Sequence, residues 1–105
     1  MEACPPTSDT RFRLLLAHDP RMFRHVPPER FHLVLSGHTH GGQVGIDLSG
    51  LRWSVLGLLG VYDGDRFEDD STVLYVHRGN WHTGWPPRMG IAGELAVIDV
   101  TPERA

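Results

Sequence analysis

The sequence predicts an α/β fold built mostly from β-strands with one short helix. Three observations carry this. Four short runs are rich in apolar and β-branched residues, Asp19-Pro20 forms the one credible helix start, and 105 residues suffice for one modest core. A compact chain of this size buries roughly 65% of the surface of its extended form. The hydrophobic share of 40% and charged share of 22% are those of a globular chain. A net charge of −3 argues against nucleic-acid binding through a basic face. The single cysteine, Cys4, excludes an internal disulfide framework and a Cys-rich zinc module.

Residues 1–11, with their prolines, Ser8 and Asp9, read as linker. Phe12 to Ala17 reads as the first strand, apolar on both faces after Arg13. Asp19 is then an N-cap and Pro20 the first helical residue. The helix runs through Arg21 to His25 and stops before Pro27-Pro28, about two turns. Phe31 to Ser36 is a second strand, followed by a glycine-rich turn and a shorter strand at Gln43 to Asp47.

Leu51 to Val61 reads as a loosely packed helix, weakened by Gly57 and Gly60, or as an irregular loop with two apolar anchors. Asp63-Gly64-Asp65 signals a turn, and Glu68-Asp69-Asp70 a solvated acidic loop rather than a calcium site. Thr72 to Val76 is a strand, residues 79–93 are a Gly/Trp/Pro loop, and Glu94 to Val100 is the last strand. The longest hydrophobic stretch, Leu51 to Tyr62, is too short to cross a bilayer. The first residues lack the charged and apolar regions of a signal peptide and read like the middle of a loop.

Several of these strands are near-continuously apolar, the pattern of strands covered on both faces. Two covering layers are then required, and one short helix cannot provide both. The second layer is expected from a missing N-terminal part or from a partner chain.

The densest chemistry lies in Ser36-Gly37-His38-Thr39-His40-Gly41-Gly42-Gln43, directly after a strand. Two imidazoles one residue apart can reach one metal ion or two adjacent ions, and the flanking glycines let a ligand or another backbone approach. His18, in Ala17-His18-Asp19-Pro20, also stands at a strand end. If the two strands are neighbours, His18 and His38 emerge at one sheet edge, where open α/β sheets place their sites.

His18-Asp19-Pro20 and Gly37-His38-Thr39-His40-Gly41-Gly42-Gln43 resemble the last two metal motifs of the calcineurin-like metallophosphoesterases. The likeness is greatest to the bacterial branch of membrane-associated or cell-envelope phosphoesterases. Leu74-Tyr75-Val76-His77-Arg78-Gly79, Pro87-Arg88 and Glu94-Leu95 resemble that branch's closing strands, so the likeness runs from about residue 12 to 100. It implies the C-terminal half of a four-layer αββα sandwich with a two-metal site between its sheets. His18 and His38 would bind one divalent ion and His40 the other, with manganese, iron or zinc as candidates. The ions would clamp a phosphate mono- or diester while a hydroxide attacks phosphorus in line. Arg78 is a candidate phosphate contact.

The family's earlier motifs, an Asp-x-His, a Gly-Asp and an Asn-His, are absent from these 105 residues. Three neutral imidazoles do not balance two divalent cations. Asp19, Asp47, Asp63 and Asp65 lack the family's spacing, and Asp19 is expected to cap the helix. These residues alone are therefore expected to turn over little and to hold at most one ion weakly. A segment outside them would supply the remaining ligands, the covering layer and any membrane anchor. The alternative is a non-catalytic fragment or binding module with a weak single-metal histidine site. A metallo-β-lactamase-like site fits poorly, since Gly41-Gly42-Gln43 stands where that family continues into Asp-His; an amidohydrolase barrel needs a far longer chain. His77 and His82 read as exposed loop residues, His25 and His32 as structural or solvated, and Trp81, Trp85, Pro86 and Pro87 as loop packing or a substrate wall.

Overall fold

The computed structural model describes residues 10–48, 51–80 and 88–102. The fold is α/β and mostly strand. Strands β1 (Leu14–Leu16), β2 (Leu33–Ser36), β5 (Asp65–Asp69) and β6 (Thr72–Val76) form one sheet in the order β1-β2-β6-β5. The first three in that order are parallel, and β5 joins β6 as an antiparallel edge. Between β2 and β6 the chain makes a separate ribbon of β3 (Gly45–Leu48) and β4 (Leu51–Ser54), then one helical turn, α1 (Val55–Leu58).

The register aligns Leu15, Val34, Leu74 and Phe67 across the sheet. On this face Val34, Leu74 and Val76 are buried together with Phe23. Phe23 comes from the turn Pro20–His25, which Asp19 caps by accepting the Arg21 backbone N–H at 2.9 Å. The start and stop follow the expectation, but the element is a 3₁₀ helix, consistent with a segment too short to repay α-helix nucleation. Tyr62 packs edge-on against Phe23 at 5.9 Å and against Phe67 at 4.8 Å. Arg24 lies over the Tyr62 ring and donates to the Gly60 carbonyl at 2.9 Å, so the 60–62 segment belongs to this covered side.

The other face carries Leu14, Leu16, Leu33, Leu35, Val73 and Tyr75, by the same register. No described element lies over it in a second layer, and Leu14 and Leu16 are 45% and 73% exposed. Leu33, Leu35, Val73 and Tyr75 are half-buried, so this face is only partly covered.

Three sequence expectations need correction. Residues 51–61 hold a strand as well as a helical turn: Leu51 and Trp53 alternate with Arg52 and Ser54 and pair with Leu48 and Ile46. The acidic run is not a loop. Glu68 and Asp69 end β5, and Asp70-Ser71 is a two-residue turn with Asp70 at φ 49°, a conformation Asp tolerates. Finally, Glu94 to Val100 forms no strand. Among the described residues no strand pairs with it, and Leu95 and Val97 are 92% and 85% exposed. Strand propensity without a neighbour makes no sheet. The 79–93 loop is described only at its two ends; His82, Trp81, Trp85, Pro86 and Pro87 lie outside the described residues.

Candidate metal centre

Because β1 and β2 are parallel neighbours, their C-terminal ends lie side by side. Ala17 N–H donates to the Leu35 carbonyl at 3.0 Å and Gly37 N–H to the His18 carbonyl at 3.2 Å. The backbone after β2 then turns sharply: His38, His40, Gly41, Gly42 and Gln43 all have positive φ. Left-handed backbone costs of order 1–3 kcal/mol at each non-glycine position, so surrounding contacts must hold this run.

The contacts come from both sides. On one, the Thr39 hydroxyl donates to the Asp63 carbonyl at 3.1 Å, and the Ser54 hydroxyl donates to the Asp63 carboxylate in a short, buried hydrogen bond. Ser54 also accepts the Gly57 N–H at 2.9 Å, capping α1. A Cβ on Gly42 would overlap the Ser54 side chain. On the other side, Gly45 N–H donates to the Met89 carbonyl and Met89 N–H to the Gln43 carbonyl, each at 2.9 Å. Buried Ile91 lies against Gly41, where a Cβ would come within 2.8 Å of it. Sequence reasoning missed Ser54 and Asp63 as supports; a serine directly before a helical turn was the available signal. Asp63→Ala should cost about 1–3 kcal/mol by stranding the buried Ser54 hydroxyl, measured as a shift in urea unfolding.

His18 and His38 meet. Nε2 of His18 lies 3.1 Å from Nδ1 of His38, with ring centroids 4.7 Å apart. The two rings are hydrogen-bonded to each other at this distance; two nitrogens on one ion, at metal–nitrogen bonds of about 2.0–2.1 Å, would stand roughly 2.9–3.4 Å apart, so the spacing is also compatible with a shared ion. His40 has its Nδ1 beside Gly79, three residues past β6. Among the described residues no group of three or more His, Cys, Asp or Glu side chains is placed to hold a metal ion. The donor set fits two ligands of one ion and leaves the others to be supplied.

Charge near the pair is already committed. Asp19 is engaged by Arg21, whose side-chain hydrogen bonds pull its pKa down to about 2, helped by the backbone bond. Asp63 faces Ser54. Arg78 donates its backbone N–H and its Nε to Glu94 at 2.8 and 3.3 Å, fixing the chain after β6 to the 88–94 segment. Arg88 donates to the carbonyls of Arg78, Ile91 and Ala92. Burial and the Arg78 charge lower its pKa. His77, half-buried, directly follows β6 and accepts the Gly79 N–H on Nδ1 at 2.9 Å. His32 accepts the Arg13 N–H and stacks on Phe12, whereas His25 is exposed. Ser36 Oγ, buried at the end of β2, has no hydrogen-bond partner among the described residues.

Above the histidines opens a cleft of about 610 Å³, bordered by His38, His40 and the Asp19–Arg21 pair and walled by Val44, Val55, Leu56 and Val61. No helix among the described residues is long and apolar enough to cross a membrane.

The chain is similar to three proteins of different origin. It is 35% identical over 92 residues to an uncharacterized metallophosphoesterase, YkuE, of Bacillus subtilis, covering 87% of this chain and 32% of that protein. With an uncharacterized metallophosphoesterase of Helicobacter pylori it shares 29% over 103 residues, covering 97% and 27%. A bovine transmembrane protein with a metallophosphoesterase domain is 32% identical over 100 residues, covering 93% and 21%. The chain thus spans no more than about a third of the length of these relatives. No family model and no solved structure matches it.

Proposed function

Taking as premise that the chain belongs to the calcineurin-like metallophosphoesterases, we propose that it carries part of the metal-holding machinery of a phosphate mono- or diester hydrolase. His18 and His38 would hold one divalent ion and His40 a second. The convergence of His18 and His38 from adjacent strand ends supports this reading most directly. When bound, such ions supply Lewis-acid polarisation of the phosphoryl oxygens and activation of the attacking water.

The chain's own residues do the positioning. Parallel pairing of β1 with β2 sets the spacing of the two rings, and the clamps from Ser54–Asp63 and Met89–Ile91 hold the left-handed run that presents His38 and His40. Asp19 stays ionised, paired with Arg21 beside His18, and is no proton donor near neutral pH. A leaving-group acid and the anionic ligands would come from a segment beyond these residues, as would a layer over the partly covered sheet face. Membrane attachment, named in the bovine relative, would belong to such a segment too.

Complementation tests the reading. The chain alone should hydrolyse bis-p-nitrophenyl phosphate feebly in manganese or zinc, and mixing it with a separately expressed preceding segment should raise the rate at least tenfold. Metal analysis showing about one ion per chain, with no gain at any mixing ratio, would favour a single-metal binding module instead.

A further inference from the structure

The ribbon beyond the histidines has a one-sided composition. Val55 N–H donates to the Val44 carbonyl at 3.3 Å, and the register continues with Ile46 opposite Trp53 and Leu48 opposite Leu51. Alternation puts these three apolar pairs on one face, and all six side chains are exposed. From Val44 to Leu48 this strip runs roughly 14 Å at strand rise. Its near end, Val44 and Val55, is also the wall of the cleft that opens on His38 and His40. The far end leads away from the histidines. Polar head site and apolar track are therefore one continuous surface.

The strip belongs to the two-stranded ribbon and is separate from the four-stranded sheet whose exposed apolar edge carries Leu14 and Leu16. The same cleft is bordered by His38 and His40, the proposed metal ligands, so a phosphate held by ions there would sit at the near end of the strip.

We propose that this surface binds a monomeric amphipathic phosphoester, its phosphate at His38 and His40 and its apolar chain along Val44, Val55, Ile46 and Trp53. The inference rests on the phosphoester reading of the histidine site and adds the substrate class. Shielding the strip removes apolar area from water, which makes affinity rise with chain length.

The test uses the intact protein with manganese and measures binding by competition and by Trp fluorescence. The probes are methyl phosphate, decyl phosphate below its aggregation threshold, decanol, and vesicles containing phosphatidic acid. Decyl phosphate should bind at least tenfold tighter than methyl phosphate and than decanol. The decyl-to-methyl ratio should fall toward one in Val55→Gln, and at least threefold in the milder Val55→Thr, which keeps volume at a half-exposed position. Equal binding of the two phosphates overturns the proposal and leaves the phosphoester site standing. Decanol equal to decyl phosphate, or binding to vesicles alone, also overturns it. If no phosphate binds, the reading of the histidine site fails first and the proposal falls with it.

Discussion

Replacing His38 with glycine should remove about one equivalent of bound metal from the intact protein and lower phosphodiester hydrolysis at least 100-fold. Losing a group that merely supports a ligand already costs roughly 10–100-fold, and His38 is proposed as a ligand itself. Glycine is the informative replacement because His38 sits at φ 71°. Removing its Cβ relieves a left-handed conformation that costs about 1–2 kcal/mol in an ordinary residue, so stability should hold or rise slightly. An inactive protein one metal equivalent short, with an unfolding midpoint unchanged or slightly raised, separates ligation from folding. His25→Ala, at an exposed position at the end of the 3₁₀ turn, should change neither metal content nor rate. If His38→Gly retains its full metal complement and activity, the centre lies elsewhere.

The largest structural effect is expected at Gly42. Its φ of 79° disfavours any side chain, and an added methyl would press into Ser54 next to Asp63. Gly42→Ala should cost about 2–4 kcal/mol, combining backbone strain with overpacking of a buried hydrogen bond. In a domain with an already thin core, that is a large part of the whole stability. Gly37→Ala is the matched control. An alanine methyl there would meet no atom within 4 Å and the φ is not left-handed, so the change should stay within about 1 kcal/mol of zero. Urea unfolding of the two variants side by side measures the difference.

What the sequence disclosed depended on how local the cause was. The Asp19-Pro20 start, the β6 strand at Thr72–Val76 and the turn after Ser36 follow from capping, β-branching and glycine placement, and the structure has all three. The juxtaposition of His18 with His38 was foreseeable because two short strands joined by a brief connection pair as neighbours. The ribbon at 45–54 was legible only in part, since its strand alternation ends in a run, Val55 to Leu59, that also suits a helix. Strand β5 was hidden because it is an edge with charged residues on both faces, so no apolar alternation marks it. Glu94 to Val100 failed for the opposite reason. Its alternation is strong, but pairing is a property of two segments, and none of the described ones lies alongside.

The support around residues 38–45 has a consequence for biosynthesis. Its braces come from Ser54, Asp63 and Met89–Ile91, far downstream in the chain. During translation the histidine turn must leave the ribosome long before those braces exist, and it stays slack until about fifty further residues emerge, a few seconds at ordinary elongation speed. A nascent chain stalled just after Val76 would carry every histidine of the proposed centre and the Ser54–Asp63 brace, and still lack the brace from Met89–Ile91.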